Sequence, residues 1–417
     1  MKGENNHSYR FAPRDRPNRR DDLVLLVFFS GGGMRAAAFS YGVLQALHET
    51  MVPVGSERRS LLSQVDALSA VSGGAFTAAY YCVNDETTFE TYEKKFLWRD
   101  VQGALFWRCL RPDNAIRLIS PYFGRSDIAA EYYDKHLFSH ATYALLAQQR
   151  DRPYLVINAT DLESGARFGF TQTYFDRIGS DLSSYPVARA VAASSAVPFL
   201  LSPVTLRNYA VDENLAKPAE LDPSPDALTE RFRHVLDDLN YYGDAHRPVY
   251  LHVVDGGVTD NLGLRAAEDF TLLHGGLRRT FAQLGMDHVE RFAVIVVDAS
   301  AQTDPKTGAT EAVPGVLRVM SDAGTILLGH SNFETGQLFD QSLRLWQVEM
   351  KHSDHSLEVY RISVNFSNVG SAGLSTFCNS VSTGFRLPAS TAITLRDAGR
   401  NALKLNAEYQ RLVKDLE

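Results

Sequence analysis

The segment LVLLVFFSGGGMRAAAFSYGVLQAL, Leu23–Leu47, is the most informative part of this chain about its fold. Its first seven residues are all apolar, as in a strand that is covered on both faces of a parallel sheet. Three glycines follow Ser30, and the Ala, Leu and Gln residues after them favour a helix. The stretch therefore predicts a strand, a glycine turn and a helix in direct succession.

The same order of elements occurs a second time. The apolar run Val65–Val71 leads through SGG into the helix-favouring AFTAAYYCV. Three further β-branched runs bounded by turns or charges predict strands, namely Tyr154–Thr160, Pro248–Asp255 and Arg291–Ser300. Repeated strand–turn–helix units predict an α/β fold with a mainly parallel central sheet.

The remaining segments suggest a single large domain. We expect a polar, basic N-terminal arm on the surface over residues 1–20 and one catalytic domain over 21–417. Charge and three prolines mark residues 212–247 as an insertion, with a helix at about 227–239. Alternating polarity after Phe339 predicts later strands with antiparallel pairing, and residues 389–416 predict a closing helix.

Composition excludes several classes of protein. Lys and Arg total 42 against 49 Asp and Glu, a net charge of −7, which argues against a protein that coats nucleic acid. Three cysteines without CxxC spacing predict reduced, structural thiols and no zinc ribbon. We expect neither a spanning helix nor a signal peptide in these residues, which leaves the compartment and the oligomeric state open.

Three short motifs could carry chemistry, and each follows a predicted strand. Ser72, in AVSGGA, stands where a strand turns into a helix, as a nucleophile does in many hydrolases, although Ala70 replaces the usual first glycine. Gly31, Gly32 and Gly33 would direct backbone N–H groups at one point, where they could hold a phosphate or an oxyanion. Arg35 could support that anion or fix the loop, and a structural salt bridge is the alternative.

The third motif is VVDGGVTDN, in which Asp255 ends a strand and is followed by Gly256 and Gly257. Its carboxylate would lie at the carboxyl edge of the sheet, where open α/β sheets bind ligands. A serine, an aspartate base and a glycine oxyanion site are the minimum set for acyl transfer.

Four motifs in order, SGGGMRAAAFSYGVLQAL, SAVSGGAF, ASSAVPFLLSPV and VDGGVTDN, resemble the patatin-like phospholipase family over residues 23–263. The resemblance implies a three-layer αβα sandwich and a lipid acyl hydrolase without a metal or another cofactor. It implies that Ser72 is the nucleophile, Asp255 the base and Gly31–Gly33 with Arg35 the oxyanion side. Gly73, Gly74, Gly256 and Gly257 would support these groups. Ser30 departs from the family pattern, which often has Asp at this position.

The sequence leaves open other functions and another catalytic arrangement. The same scaffold could serve a broad carboxylesterase or thioesterase, and an inert Ser72 would leave an anion- or nucleotide-binding protein. His252 lies three residues before Asp255, on the opposite face of a strand, so the two would not naturally pair, whereas His330 stays open as a member of a triad.

Substrate access is suggested by a segment rich in aromatic and basic residues. Residues 89–123 contain two of the three tryptophans, and lysines and arginines lie between the rings. This mixture suits a phospholipid surface, and an ordinary cap over the sheet is the alternative.

Overall fold

A mixed β-sheet forms the centre of the fold in the computed structural model, which describes residues 8–11, 18–149, 151–198, 200–211, 230–243, 249–301, 311, 313, 315–351 and 357–417. The strands are β1 Leu23–Phe29, β2 Met51–Val54, β3 Glu57–Ser60, β4 Ala67–Val71, β5 Tyr154–Asp161, β6 Arg167–Gly169, β7 Val204–Arg207, β8 Tyr250–Asp255, β9 Arg291–Asp298 and β10 Glu358–Asn365. The helices are α1 Gly33–Glu49, α2 Ser72–Asn84, α3 Thr88–Tyr92, α4 Val101–Cys109, α5 Pro112–Arg117, α6 Arg125–Tyr133, α7 Tyr143–Gln148, α8 Gln172–Arg177, α9 Val187–Ser194, α10 Glu230–Tyr241, α11 Gly257–Asp260, α12 Arg265–Leu273, α13 Leu277–Leu284, α14 Val316–Lys351, α15 Ala372–Ser380, α16 Ala389–Leu405 and α17 Ala407–Leu416.

The sheet has the strand order β10-β9-β1-β4-β5-β8-β7, and β6 pairs with β5. Strands β10, β9, β1, β4 and β5 run parallel to one another. Strand β8 is antiparallel to β5, and β7 is antiparallel to β8. The prediction of an α/β fold with a mainly parallel sheet is confirmed.

Helices cover both faces of the sheet. Alternate residues of β1, such as Leu25 and Val27, pack in a core with α1, α2 and α16. Residues on the opposite face of the strand, Val24 and Phe28, pack in a second core with α12, α13 and α14. Burial on both faces explains why β1 is apolar throughout, and it gives the three layers that we expected.

Helix α14 corrects the first part of the prediction of strands after Phe339, while the later strand is present as β10, Glu358–Asn365. The large side chains of Phe339, Leu343, Trp346 and Met350 are buried, and their spacing of four, three and four residues is that of one helix face. The apparent alternation arose because Leu345 and Val348 are also apolar, yet both are exposed. Because α14 crosses over between them, β9 and β10 pair parallel, not antiparallel as predicted.

The two ends of the chain also differ in detail from the expectation. The closing segment forms two helices, α16 and α17, separated at Asn406, whose side chain accepts a hydrogen bond from the Tyr409 backbone N–H. In the predicted surface arm, Tyr9 is buried, and its hydroxyl accepts a hydrogen bond of 2.6 Å from the Leu155 backbone N–H. In the predicted insertion, α10 agrees with the expected helix, while residues 212–229 and 244–248 lie outside the described residues.

Candidate active site

Ser72 stands at a sharp corner between β4 and α2. Its φ of +48° lies in the left-handed region, which non-glycine residues enter rarely and usually at functional sites. The corner is tight: a Cβ on Gly73 would lie 2.0 Å from the Gly33 carbonyl oxygen, and one on Gly74 would lie 2.7 Å from the Phe29 Cβ. The two glycines after Ser72 are therefore needed for the glycine loop to pack against the corner.

Asp255 lies beside Ser72. The Ser72 hydroxyl donates a hydrogen bond of 2.7 Å to Asp255 Oδ2, and the Gly257 N–H donates one of 2.8 Å to Oδ1. Gly256 is equally constrained, because a Cβ there would lie 2.3 Å from the Asn158 carbonyl oxygen. Both carboxylate oxygens are thus held, and one of them is held by the serine.

The direction of β8 brings Asp255 to Ser72, and this direction differs from the one that we expected. We predicted that Asp255 would reach the carboxyl edge as the end of a parallel strand. Instead, β8 runs antiparallel to β5 and ends with Asp255 opposite Ala159, one residue beyond the pairing of Asn158 with Val71. The last residue of β8 therefore lies at the edge of the sheet where β4 ends. Because the two strands run in opposite directions, they bring Asp255 and Ser72 to the same place from opposite sides.

Burial makes Asp255 a stronger base than an ordinary carboxylate. Desolvation raises its pKa to about 6, while the hydrogen bonds from Ser72 and the Gly257 N–H act in the opposite direction. A carboxylate with this pKa is ionised at neutral pH, and it is close enough to neutrality to accept a proton efficiently.

Ser194, at the end of α9, helps to position Ser72, and the segment that follows it helps to position Asp255. Its hydroxyl accepts a hydrogen bond of 2.8 Å from the Ser72 backbone N–H and donates one of 2.6 Å to the Asn158 carbonyl oxygen. The backbone N–H of Asp255 donates to the Ala196 carbonyl oxygen at 3.1 Å. Sequence reasoning gave Ser194 no role, although its motif ASSAVPF was one of the four that carried the resemblance.

The glycine loop lies against Ser72. A Cβ on Gly31 would lie 3.3 Å from the Ser72 Cβ and 2.4 Å from Asn261 Oδ1. The Gly31 N–H donates to the Asn261 carbonyl oxygen at 3.0 Å, so this amide is occupied, contrary to the three-donor site that we expected. Among the described residues, no acceptor bonds the N–H groups of Gly32 and Gly33, which have φ values of +135° and +60°. Two amides therefore remain for an oxyanion.

Arg35 is buried and holds the loop in place. Its guanidinium donates to the backbone carbonyl oxygens of Ala299 and Val381, which follow β9 and α15. Burial lowers its pKa to about 10, so the side chain stays charged at neutral pH. Ser30 adds a second link, since its hydroxyl accepts a hydrogen bond of 2.9 Å from the Ala299 N–H. These bonds fit the loop-fixing alternative for Arg35, and contact with an oxyanion stays a prediction.

Neither histidine joins the pair. His252 is exposed on β8, where its ring hydrogen-bonds the Thr205 hydroxyl at 3.0 Å. His330 is exposed on α14. Among the hydrogen bonds of the described residues, those of Ser72 and Asp255 include no histidine.

The described residues lack two further features that could bear on function, a metal-binding cluster and a membrane-spanning helix. They contain no group of three His, Cys, Asp or Glu side chains that could hold a metal ion. No helix in the described part of the chain is both long and apolar enough to span a membrane.

Comparisons with known proteins identify a family and a structural neighbour of this chain. A family model described as Patatin-like phospholipase matches residues 27–268, more than half of the chain. The structure of human GIVD cytosolic phospholipase A2 is 12% identical, with a TM-score of 0.51 over 95% of this chain and 60% of that chain. This chain therefore spans about three fifths of the human protein's length, and at such low identity the likeness shows the fold alone.

Two more solved structures align less well. The same human protein in complex with methyl gamma-linolenyl fluorophosphonate is 12% identical, with a TM-score of 0.46 over 95% of this chain and 59% of that chain. VipD from Legionella pneumophila is 14% identical, with a TM-score of 0.33 over 95% of this chain and 67% of that chain. No curated protein sequence matches the chain significantly.

Proposed function

We propose that Ser72 and Asp255 form the catalytic dyad of this chain. The chain belongs to the patatin-like phospholipase family and is thus a lipid ester hydrolase. The hydrolase would be of the phospholipase A or lysophospholipase type, cleaving fatty-acyl esters through an acyl-enzyme. The observation that carries this proposal is the 2.7 Å hydrogen bond from the Ser72 hydroxyl to the buried Asp255 carboxylate.

The first half of the reaction forms the acyl-enzyme. Ser72 Oγ attacks the ester carbonyl carbon while Asp255 Oδ2 takes its proton, as a general base does for a serine nucleophile. The negative charge that develops on the carbonyl oxygen is stabilised by the free N–H groups of Gly32 and Gly33. When the tetrahedral intermediate collapses, the carbon–oxygen bond to the alcohol breaks, and the proton on Asp255 passes to the leaving oxygen.

The second half reverses these roles. Asp255 accepts a proton from water, and the resulting hydroxide attacks the acyl carbon of the ester on Ser72. Collapse of this intermediate releases the fatty acid, and the proton returns to Ser72 Oγ. The raised pKa of Asp255 suits a group that must accept and return a proton twice in each cycle.

An exposed apolar patch supports a lipid surface as the location of the substrate. The patch lies on and after α4 and α5, and it consists of Phe106, Trp107, Leu110, Ile116, Ile119 and Tyr122. Trp107 is 69% exposed and Tyr122 is 93% exposed, so these rings do not cap the sheet. Arg111 and Arg117 lie within the same segment, and although Asp113 and Glu131 pair with them, both pairs are exposed and within reach of anionic headgroups.

The patch is connected to the glycine loop. The Gln102 backbone N–H, in the first turn of α4, donates to the Phe385 carbonyl oxygen at 3.1 Å. The neighbouring Gly384 carbonyl accepts from the Met34 N–H at 2.7 Å, directly after the loop. We infer that docking of the patch on a membrane brings the ester towards Ser72.

Replacing Trp107 and Tyr122 together by Ser should lower hydrolysis of anionic phospholipid vesicles by about tenfold or more, because burial of each large apolar side chain contributes about 1.5–3 kcal/mol. Turnover of a soluble short-chain ester should change by no more than about twofold, as expected for surface substitutions. Leu405→Ser, an exposed apolar residue outside the patch, is the control and should leave both rates unchanged. Equal losses on vesicles and on the soluble ester would exclude the patch as a docking surface.

The hydrolase itself is tested by labelling with a fluorophosphonate, which modifies a serine only when it is an activated nucleophile. We expect Ser72 to be labelled, with a rate that falls about tenfold per pH unit below about pH 6, because protonated Asp255 cannot accept the hydroxyl proton. Peptide mapping identifies the labelled serine, and the rate is measured between pH 4.5 and 8, values that bracket this pKa. Folded protein that stays unlabelled would favour the non-catalytic anion- or nucleotide-binding alternative.

Substrate profiling separates the lipid hydrolase from a broad carboxylesterase or thioesterase. The phospholipase A or lysophospholipase assignment requires a higher rate on phospholipid or lysophospholipid than on soluble short-chain esters and thioesters. The opposite order would leave the dyad in place and assign the alternative substrate class.

A further inference from the structure

A large cavity lies on the face of the sheet that α12, α13 and α14 cover. Its volume is about 950 Å³, near the upper end of the range for ligand pockets. Val24, Leu26 and Phe28 of β1 form its floor, and Phe281 and Trp346 lie among its walls. The proposed function makes no use of this space.

The cavity is separate from the catalytic dyad. Of the described residues that line it, the nearest to the dyad in sequence is Ser69, which lies on β4 shortly before Ser72. The Ser69 hydroxyl donates to the Gly263 carbonyl oxygen at 2.7 Å, so the segment after α11 closes the cavity towards the carboxyl edge. Ser72 and Asp255 are not among the described lining residues.

Arg177, the last residue of α8, is an unusual part of the wall. It is only 7% exposed, yet the bonds of the described residues give its guanidinium no hydrogen-bond or ion-pair partner. Asp176 attracts it through space, but the Asp176 carboxylate already bonds Arg10 and Gln172. Arg167, a second arginine of the wall, is by contrast fully paired with Asp269 and Asn158.

A buried cation that no described residue bonds indicates that an anion pairs with it. Burying a charge is costly unless it is paired, and a guanidinium prefers a planar partner that can accept two parallel hydrogen bonds. Asp176 and Asp269 in the wall are already paired with Arg10 and Arg167, so Arg177 is left to balance a single negative charge, and Asp181 disfavours a group that carries more than one. A single carboxylate fits these requirements better than a phosphate does.

We propose that this cavity is a second lipid site that binds a long-chain fatty acid, with the carboxylate on Arg177 and the chain along the apolar floor and walls. A fatty acid is also the released product of the proposed reaction, but the site is inferred from the cavity and Arg177, independently of the hydrolase activity. Binding would bury apolar chain against Phe28 and Phe281, and the charge-assisted pair would fix the orientation.

Trp346 provides a local probe, because it lines the cavity while the other two tryptophans, Trp98 and Trp107, lie elsewhere. In a Trp98→Phe, Trp107→Phe background, 9,10-dibromostearic acid should quench Trp346 fluorescence in a saturable manner. Bromine quenches at close contact, so acid bound at Ser72 gives no signal. Binding is measured without turnover, and therefore a failure of Ser72 labelling leaves this result independent.

Substitutions test the position of the headgroup. Arg177→Gln should weaken binding of the acid by about tenfold or more, whereas the methyl ester of the same acid should bind both proteins equally. Arg278→Gln is the matched control, since Arg278 lies exposed on α13 and does not line the cavity. Ala267→Phe, which fills the cavity from α12, should prevent binding of both acid and ester while circular dichroism shows a folded protein.

Two results would overturn the proposal. The first is the absence of saturable quenching of Trp346 in folded protein. The second is an affinity for the acid that stays the same in Arg177→Gln, which would reduce the site to unspecific apolar binding.

Discussion

Asp255→Asn is expected to lower kcat/KM for ester hydrolysis by about 10²- to 10⁴-fold, the usual loss when a general base is removed. The amide still accepts a hydrogen bond from the Ser72 hydroxyl but cannot take its proton. Ser72→Ala should lose at least as much, and the double variant should lose little more, because the two residues act as one unit. The measurement is steady-state hydrolysis of a phospholipid and of a soluble ester by each variant.

The same substitution should make the protein more stable. The pKa of Asp255 rises on folding from about 3.8 to about 6, so the folded state favours the protonated form. The stability from this preference is present below pH 3.8 and is lost as the pH rises through 6. Above that, the ionised carboxylate costs on the order of 3 kcal/mol, and Asn should recover about 1–3 kcal/mol.

Thermal unfolding at pH 7.5 and at pH 4 checks this sign, because the gain should shrink at the lower pH. His330→Ala serves as the control for the reaction, since His330 is exposed and bonds neither member of the dyad among the described contacts. Full activity in Asp255→Asn together with its loss in His330→Ala would replace the dyad by a triad.

Gly42→Ala is expected to destabilise the fold by about 2 kcal/mol or more, the range of severe overpacking. A Cβ on Gly42 would lie 1.8 Å from the Arg396 carbonyl oxygen and 2.8 Å from the Arg400 backbone nitrogen. Both are backbone atoms of α16, so the two helices would have to separate. The melting temperature should fall by several degrees, and activity should fall with it, because α1 carries the glycine loop at its first residue.

Gly336→Ala is the matched control for this prediction. Gly336 is also in a helix interior, on α14, but nothing lies within 4 Å of the position that a methyl group would take there. Alanine at this position should be neutral or stabilise by up to about 1 kcal/mol, the difference in helix propensity. A similar loss of stability in both variants would show that the α1–α16 contact is not the cause.

Local sequence patterns were sufficient to predict much of this fold and of the candidate site. β1 begins and ends as predicted, because a strand buried on both faces is apolar at every position. The corner at Ser72 was indicated by its glycines, whose absent side chains match the observed close contacts. Such features depend on a few neighbouring residues.

Features that depend on distant pairing could not be predicted in this way. The direction of β8 is set by its partners β5 and β7, and its composition suits either direction. The occupied Gly31 amide depends on Asn261, far away in the chain, and Ser194 gains its place only when α9 packs beside β5. The helix at α14 could have been recognised from the four-three-four spacing, which the local alternation obscured.

The positions of these groups along the chain have a consequence for synthesis on the ribosome. Ser72 is made before its proposed base, Asp255, which follows 183 residues later. The contacts that hold the glycine loop come later still, from Ala299, Val381 and Gly384. A nascent chain that carries Ser72 therefore lacks both the proposed base and the contacts that hold the glycine loop until Gly384 has emerged, so the proposed dyad would become active only late in synthesis.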